Sequence, residues 1–215
     1  MKVDVPRAIV MYLLWLGLIS GVLIVAMADA LPVKLGFIRP ENVFTLLIEA
    51  ELFFVLVIWP FFVPRLLKPV TIDLAKGTET HLLVLQVLVL FVVALPVALL
   101  STSLADVGAG EFLRGHLLVA VTASFVATLH DLAERRTIAF APWYFLAMFA
   151  IAGFAPFADA LRSGSPGVLS AISPFVAATQ LDGSAPLVMS GVFGVFTVAT
   201  MIVSPFALRR ASAPA

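Results

Sequence analysis

The chain has 215 residues, 62% hydrophobic and 12% charged, with a mean hydropathy of +1.13 and a formal net charge of +0. Soluble domains carry about 25% charged residues, so this composition excludes an ordinary soluble domain and predicts an all-α polytopic membrane protein that has the lipid bilayer as its solvent. Cysteine is absent, which excludes a disulfide framework, an iron–sulfur cluster and a thiolate nucleophile; net neutrality names no partner, and no nucleic-acid partner is expected.

A membrane-crossing helix needs about 20 apolar residues. By that measure the sequence predicts about six spans in one transmembrane domain, 1–215: residues 8–28, 42–63, 82–101, 115–130, 138–158 and 186–208. The fourth is the shortest and has room to begin earlier. The apolar run 9–27 is longer than that of a signal peptide, so it reads as a retained span. Trp15, Trp59, Trp143 and Tyr144 are candidates for anchoring at the membrane–water boundary. Trp15 has a second reading, deeper in a packed interface.

Cations set the orientation. With the N-terminus inside, Lys2, Arg7, Arg65, Lys68, Lys76, Arg135, Arg136, Arg209 and Arg210 lie on cytoplasmic segments. Lys34, Arg39, Arg114 and Arg162 lie outside. This nine-to-four split of the 13 cations predicts both termini in the cytoplasm. Of the outer loops, 29–41 contains Pro32, Gly36 and Pro40, and 102–114 contains Gly108 and Gly110. The longest, 159–185, carries SGSPG at 163–167 and then Ser173-Pro174; a re-entrant or interfacial helix is expected at 168–178, too short to cross.

Residues 59–90 read WPFFVPRLLKPVTIDLAKGTETHLLVLQVLVL. Pro60, Pro64 and Pro69 argue against an uninterrupted helix, and Arg65, Lys68 and Lys76 put cations at the end of an apolar run. A short helix along the membrane surface is expected at 71–83, with Ile72, Leu74, Leu82 and Leu83 on its apolar side and a bend at Gly77. The plainer reading is a loop that only connects two spans. Asp73, then Gly77-Thr78, then Glu79, His81 and Leu82-Leu83, resembles the first cytoplasmic loop of ABC-2-type transporter permeases. Residues 117–139, LLVAVTASFVATLHDLAERRTIA, resemble that family's fourth span with its basic turn. Residues 169–183, LSAISPFVAATQLDG, resemble its Ser-Pro segment before the last span.

The resemblance implies a permease subunit of an ABC-type transporter, multi-pass in a bacterial-type cytoplasmic membrane. It would form the translocation pathway with a second permease copy or a paralogue. A separate cytoplasmic ATP-binding subunit would dock on Asp73, Lys76, Gly77, Thr78, Glu79, His81, Leu82 and Leu83. The chain would then be no enzyme and would hold no cofactor. It departs from the family at three places: Gln86 stands where a Pro is usual, the half-loop before the third span is missing, and Met1–Arg7 leaves almost no room for an N-terminal elbow helix. A compact permease of the haem-exporter type therefore stays open. So does a non-transporting structural or assembly subunit of a larger respiratory or photosynthetic membrane complex.

Few residues stand out chemically. Glu49 and Glu51 lie inside the second predicted span, where a carboxylate must face protein or water. Two apart on a helix, they point to different faces. One reading makes them a polar lining for a substrate path; the other places both near the outer surface. His81 and His130 share the cytoplasmic end of two spans, as a haem would require, while His116 sits at the other end. Ordinary interfacial hydrogen bonds account for all three, and no haem is expected. Asp131, Glu134, Arg135 and Arg136 make a charged turn, either solvated or a second partner contact. Gly17 with Gly21, and Gly191 with Gly194, are small residues that let helices approach. No phosphate loop, HExxH or Ser/His/Asp set is present.

The charge split makes a direct prediction. Cysteines introduced at Ser165 and Ser212 of this cysteine-free chain should react with impermeant thiol reagents from opposite sides of the membrane. Labelling of both from one side contradicts the orientation.

Overall fold

The computed structural model describes residues 7–27, 42–62, 79–135, 140–150 and 173–211, with side chains at 10–25, 42–60, 89–130, 133, 141–150 and 173–200. The described backbone is helical: α1 (Arg7–Met27), α2 (Val43–Phe53), a π-helical segment (Phe54–Ile58), α3 (Trp59–Phe62), α4 (Glu79–Ala105), α5 (Ala109–Arg135), α6 (Phe140–Met148), α7 (Pro174–Ala178) and α8 (Ala185–Ala211). These fall on the six predicted apolar segments, with α7 inside the expected 168–178 helix. Among the described residues, one stretch, Ala109–His130 of α5, is long and apolar enough to cross a membrane by length and composition, with a mean hydropathy of 1.6.

The helix α5 is the centre of the bundle. It packs most extensively on α8, then on α4 and α2, and also meets the π segment, α3, α6 and α7. Contact order along the helices fixes their directions. Phe44 meets Phe112 and His116, while Phe54 and Val55 share a small cavity with Val119 and Ala123 further along α5, so α2 and α5 run the same way. Leu181 meets Arg114, just before α8 begins, and Phe193 meets Phe125, so α8 joins them. Tyr12 reaches Glu51 and Phe54 while Trp15 reaches Ala50, so α1 runs opposite to α2.

The connection between α4 and α5 is tighter than the expected loop 102–114. Asp106 takes the left-handed conformation, φ 52°, and the Val107 amide donates to the Thr102 carbonyl at 3.1 Å. This is the Schellman closure of a helix C-terminus. The helix runs past Ser101 to Ala105, and hydroxyls at its end bond carbonyls of the preceding turn: Ser101 to Ala98 and Val97, Thr102 to Leu99. Glu111 in the first turn of α5 complements the helix dipole.

The chain also runs on through Pro60. Proline has no amide hydrogen and its ring crowds the carbonyl four residues earlier, here Leu56. The backbone widens into the π segment just before it, and the Trp59 amide reaches back to Phe54. The Leu56 carbonyl accepts the hydroxyl of Tyr144 on α6 at 2.8 Å. Tyr144 and Trp59 are therefore buried, 4% and 5% exposed, and not boundary anchors; Trp143 alone of that pair on α6 faces out. Trp15 follows its second reading, donating to the Ala50 carbonyl at 3.2 Å and stacking on Phe53.

The close approach between helices is at Gly115, where an added Cβ would sit 3.1 Å from Ile48 and 3.3 Å from Phe44. Gly17, Gly21 and Gly191 have open space at the same position, and Gly194 has an ordinary contact with Val121 at 3.7 Å.

Tyr144→Phe leaves the Leu56 carbonyl without that donor and should destabilise the bundle by about 1–3 kcal/mol. In a Pro60→Ala background the restored amide can supply Leu56, so the same change should cost less. Chemical unfolding of the four proteins in detergent measures the difference; equal costs in both backgrounds contradict the account.

Candidate functional site

The distribution of polarity in the bundle is inverted. Leu14, Leu18 and Ile24 on α1, Val92 and Leu100 on α4, Trp143 and Phe145 on α6, Phe149 just after it, and Val188, Val192 and Val195 on α8 are exposed. Inside lie Glu51, Ser101, His116, Thr122, Thr128, Ser173, Ser190 and Thr197. Most hydroxyls on α5 and α8 answer to their own helix: Ser124 donates to Ala120, Thr128 to Phe125, Thr197 to Phe193. Among the described residues, six buried polar atoms have no partner: Ser20 Oγ, Glu51 Oε2, Trp59 Nε1, His116 Nε2, Thr122 Oγ1 and Ser190 Oγ.

Glu51 is the most consequential of these. It lies in the last turn of α2 before the π segment and is 1% exposed. The Tyr12 hydroxyl donates to its Oε1 at 3.4 Å, a long bond, and Oε2 has none. Tyr12 itself is 4% exposed, with its ring 5.0 Å from that of Phe54. Glu49, two residues earlier, is half-buried, so the two carboxyls diverge as the helical offset requires. Glu51 is enclosed by protein.

His116 occupies a second enclosed position on α5, 1% exposed. Phe112, Phe91 and Phe44 surround its ring at centroid distances of 4.2, 5.1 and 5.7 Å. Its Nδ1 lies 2.9 Å from the Phe112 carbonyl. A carbonyl only accepts, so Nδ1 carries the hydrogen and Nε2 is left as an unused acceptor. Phe91, Tyr12, Trp59 and Val119 are among the residues lining an apolar cavity of about 20 Å³. It has the size of one water but almost none of the polar lining that would hold one.

Of the expected docking residues, Asp73, Lys76, Gly77 and Thr78 lie outside the described residues, as do Asp131, Glu134 and Arg135 in their side chains and Arg65, Lys68 and Arg136 entirely. Glu79, His81, Leu82 and Leu83 belong to the first turns of α4, which continues unbroken into the apolar helix. The expected surface helix 71–83 thus does not end at Leu83: no Gly or Pro interrupts 79–95, so the helix propagates. The side chain of His81 is not described, so its pairing with His130 lies outside the described residues. Among the described residues, no group of three His, Asp or Glu is gathered as a metal site.

Sequence reading passed over Tyr12 and Gly115. A tyrosine inside an apolar helix was the available signal, since a buried hydroxyl requires a partner. Gly115 beside His116 carries no comparable signal, because only the facing helix makes it close.

Tyr12→Phe removes the one donor to Glu51 and should lower stability by about 1–3 kcal/mol. Tyr12→Phe with Glu51→Met replaces both partners by apolar groups of similar size and should recover much of that loss. Unfolding midpoints of the single and double variants in detergent decide it; additive losses contradict the pairing. No family model matches the chain, and neither a curated protein nor a solved structure matches it significantly.

Proposed function

We propose that the chain is a membrane-embedded permease subunit of an ABC-type transporter, acting with a second copy or a paralogue beside a separate cytoplasmic ATPase. The observation that carries the membrane reading is the inverted polarity: aliphatic and aromatic side chains outside, carboxyl, imidazole and hydroxyl groups inside. In water such a surface would far exceed the apolar patch a monomer tolerates; in lipid it is the expected solvent-facing surface. Lengths agree. At 1.5 Å per residue, α1 is about 31 Å long and α4, α5 and α8 about 40 Å each, against a hydrocarbon core of about 30 Å. The shared direction of α2, α5 and α8, opposed by α1, fits alternate crossings of six spans with both termini in the cytoplasm.

The link to an ATPase is the run Asp73, Gly77-Thr78, Glu79, His81 and Leu82-Leu83. With Leu82 and Leu83 in the first turns of α4, an ATPase gripping this corner would hold the end of a rigid helix, a direct mechanical connection into the bundle. A second reading, a structural or assembly subunit of a larger membrane complex, is favoured by the filled interior. Phe44, Leu47, Ile48, Leu52, Phe54 and Leu118 are fully buried around the bundle axis. A translocation path would then have to run between chains.

Co-purification from the native membrane tests the proposal. An ATP-binding subunit should accompany the chain, with cross-links at 65–83. Leu82→Ala with Leu83→Ala should weaken that association more than Lys76→Ala does. A buried apolar anchor is worth about 2 kcal/mol or more, and a rim charge about 0–1. Recovery in a complex that contains no ATPase makes the structural-subunit reading the better account.

A further inference from the structure

We propose that Glu51 is a proton-binding site of the bundle, held as the neutral acid while α1 lies against α2 and opened to water when α1 moves away. The inference rests on the helices being membrane-embedded and not on the presence of an ATPase.

The geometry leaves the carboxyl no other charge balance. An ionised carboxylate removed from water needs a cation or several donors. Glu51 has one donor, the Tyr12 hydroxyl at 3.4 Å, and Oε2 has none. Each element packed on α2 can be checked. On α1, Tyr12 is the titratable group among the described side chains. On α4, the described side chains 89–105 include no Asp, Glu, Lys, Arg or His. The π segment and α7, FVLVI and PFVAA, have none. On α5 the described groups are Glu111, Arg114, His116 and His130. None of them bonds Glu51: Arg114 donates its Nε to the Leu181 carbonyl at 2.7 Å, and His116 is enclosed by three phenylalanines. A proton on the carboxyl supplies the neutrality that no side chain supplies, and a protonated oxygen retains one donor for later use.

A site of this kind needs a door, and α1 has the right construction. Tyr12 and Leu16 are its deeply buried contributions beside Glu51, at 4% and 3% exposure. Trp15 latches it to α2 through the Ala50 carbonyl and the rings of Phe53 and Phe54. Leu23 is buried further along, while Leu14, Leu18 and Ile24 on the opposite side are exposed, with open space at Gly17 and Gly21. Such a helix can separate from α2 by losing two hydrogen bonds, one aromatic cluster and its packing on α4, leaving the packing of α5 against α8 untouched. On separation, the carboxylic acid passes its proton to water and the carboxylate is hydrated; on closure it takes one proton back.

Infrared difference spectroscopy of the purified chain in lipid tests this without any partner. At near-neutral pH, wild type minus Glu51→Gln should contain the C=O band of a protonated carboxyl, and Glu49→Gln should leave that band in place. The Gln variant still accepts from Tyr12, which preserves the fold. In D2O the band should shift slowly in wild type and faster in Trp15→Ala, where the latch is cut. A Glu51-dependent carboxylate signal in place of the acid band overturns the proposal, and so does an exchange rate that Trp15→Ala leaves unchanged. A measurement on wild type alone guards against a variant that fails to fold. A carbodiimide, which attacks protonated carboxyls, should leave a mass adduct on Glu51 of the wild type as α1 opens, and the yield should fall as pH rises. No adduct, or a yield that does not fall with rising pH, also refutes the site.

Discussion

A bundle whose outside is apolar cannot send its polar groups to the surface, so a partner for each has to come from within the fold. Three such pairings tie helices together. The Tyr144 hydroxyl on α6 serves the Leu56 carbonyl in the stretch that Pro60 deprives of a donor. Arg114 on α5 serves the Leu181 carbonyl in the turn before α8. Tyr12 and Trp15 on α1 serve Glu51 and the Ala50 carbonyl on α2. Apolar contacts between lipid-facing helices have little hydrophobic bias toward one register, since lipid is as apolar as leucine. These polar pairs, each with one acceptable geometry, are what fix which turn of one helix meets which turn of another.

Around those ties the packing is aromatic and close. Phe125 and Phe193 stack at 4.5 Å with their rings 5° from parallel, joining α5 to α8. Gly115 removes the Cβ that would otherwise hold α5 away from Ile48 and Phe44. The same approach brings Phe44 onto His116, so the enclosure of the imidazole follows from a missing methyl group one residue away. Central position and polar content coincide in α5, which gathers His116, Thr122 and Thr128 in a helix that neighbours on several sides shield from lipid.

Much of the helical framework is legible in the sequence because it depends on a local property, runs of apolar residues of membrane length. The ends were less so. Residues 102–114 look like a loop because Ser, Thr and Gly stand close together there, yet the tight turn at Asp106 joins helices that end at Ala105 and begin at Ala109. Aromatic residues misled in a different way. Trp59 and Tyr144 have the composition of boundary anchors, but a proline one residue after Trp59 creates the acceptor that draws Tyr144 inward. The small-residue pairs at Gly17 and Gly21 are visible as a pattern, while the glycine at the tight crossing is solitary. Close approach is a property of two helices, and a single sequence presents one at a time.

The two glutamates of α2 show how far a local argument reaches. Their two-residue offset requires different faces, and the structure gives Glu49 partial exposure and Glu51 full enclosure. Nothing in the stretch IEAELFF tells which of them is enclosed; that is decided by where α1 lies. The distinction matters for any transport role. A side chain 1% exposed cannot line an open path in the conformation that buries it, whereas Glu49 can meet whatever passes along the outside of the bundle. A path between two chains would therefore meet Glu49 and miss Glu51. The interior carboxyl has, among the described residues, one weak donor, one free oxygen and no neighbouring cation, the surroundings that suit the proton-binding role proposed above. Movement of α1 is the step that would connect the two, because α1 covers Glu51 and packs on α2 and α4 more than on the α5–α8 centre of the bundle.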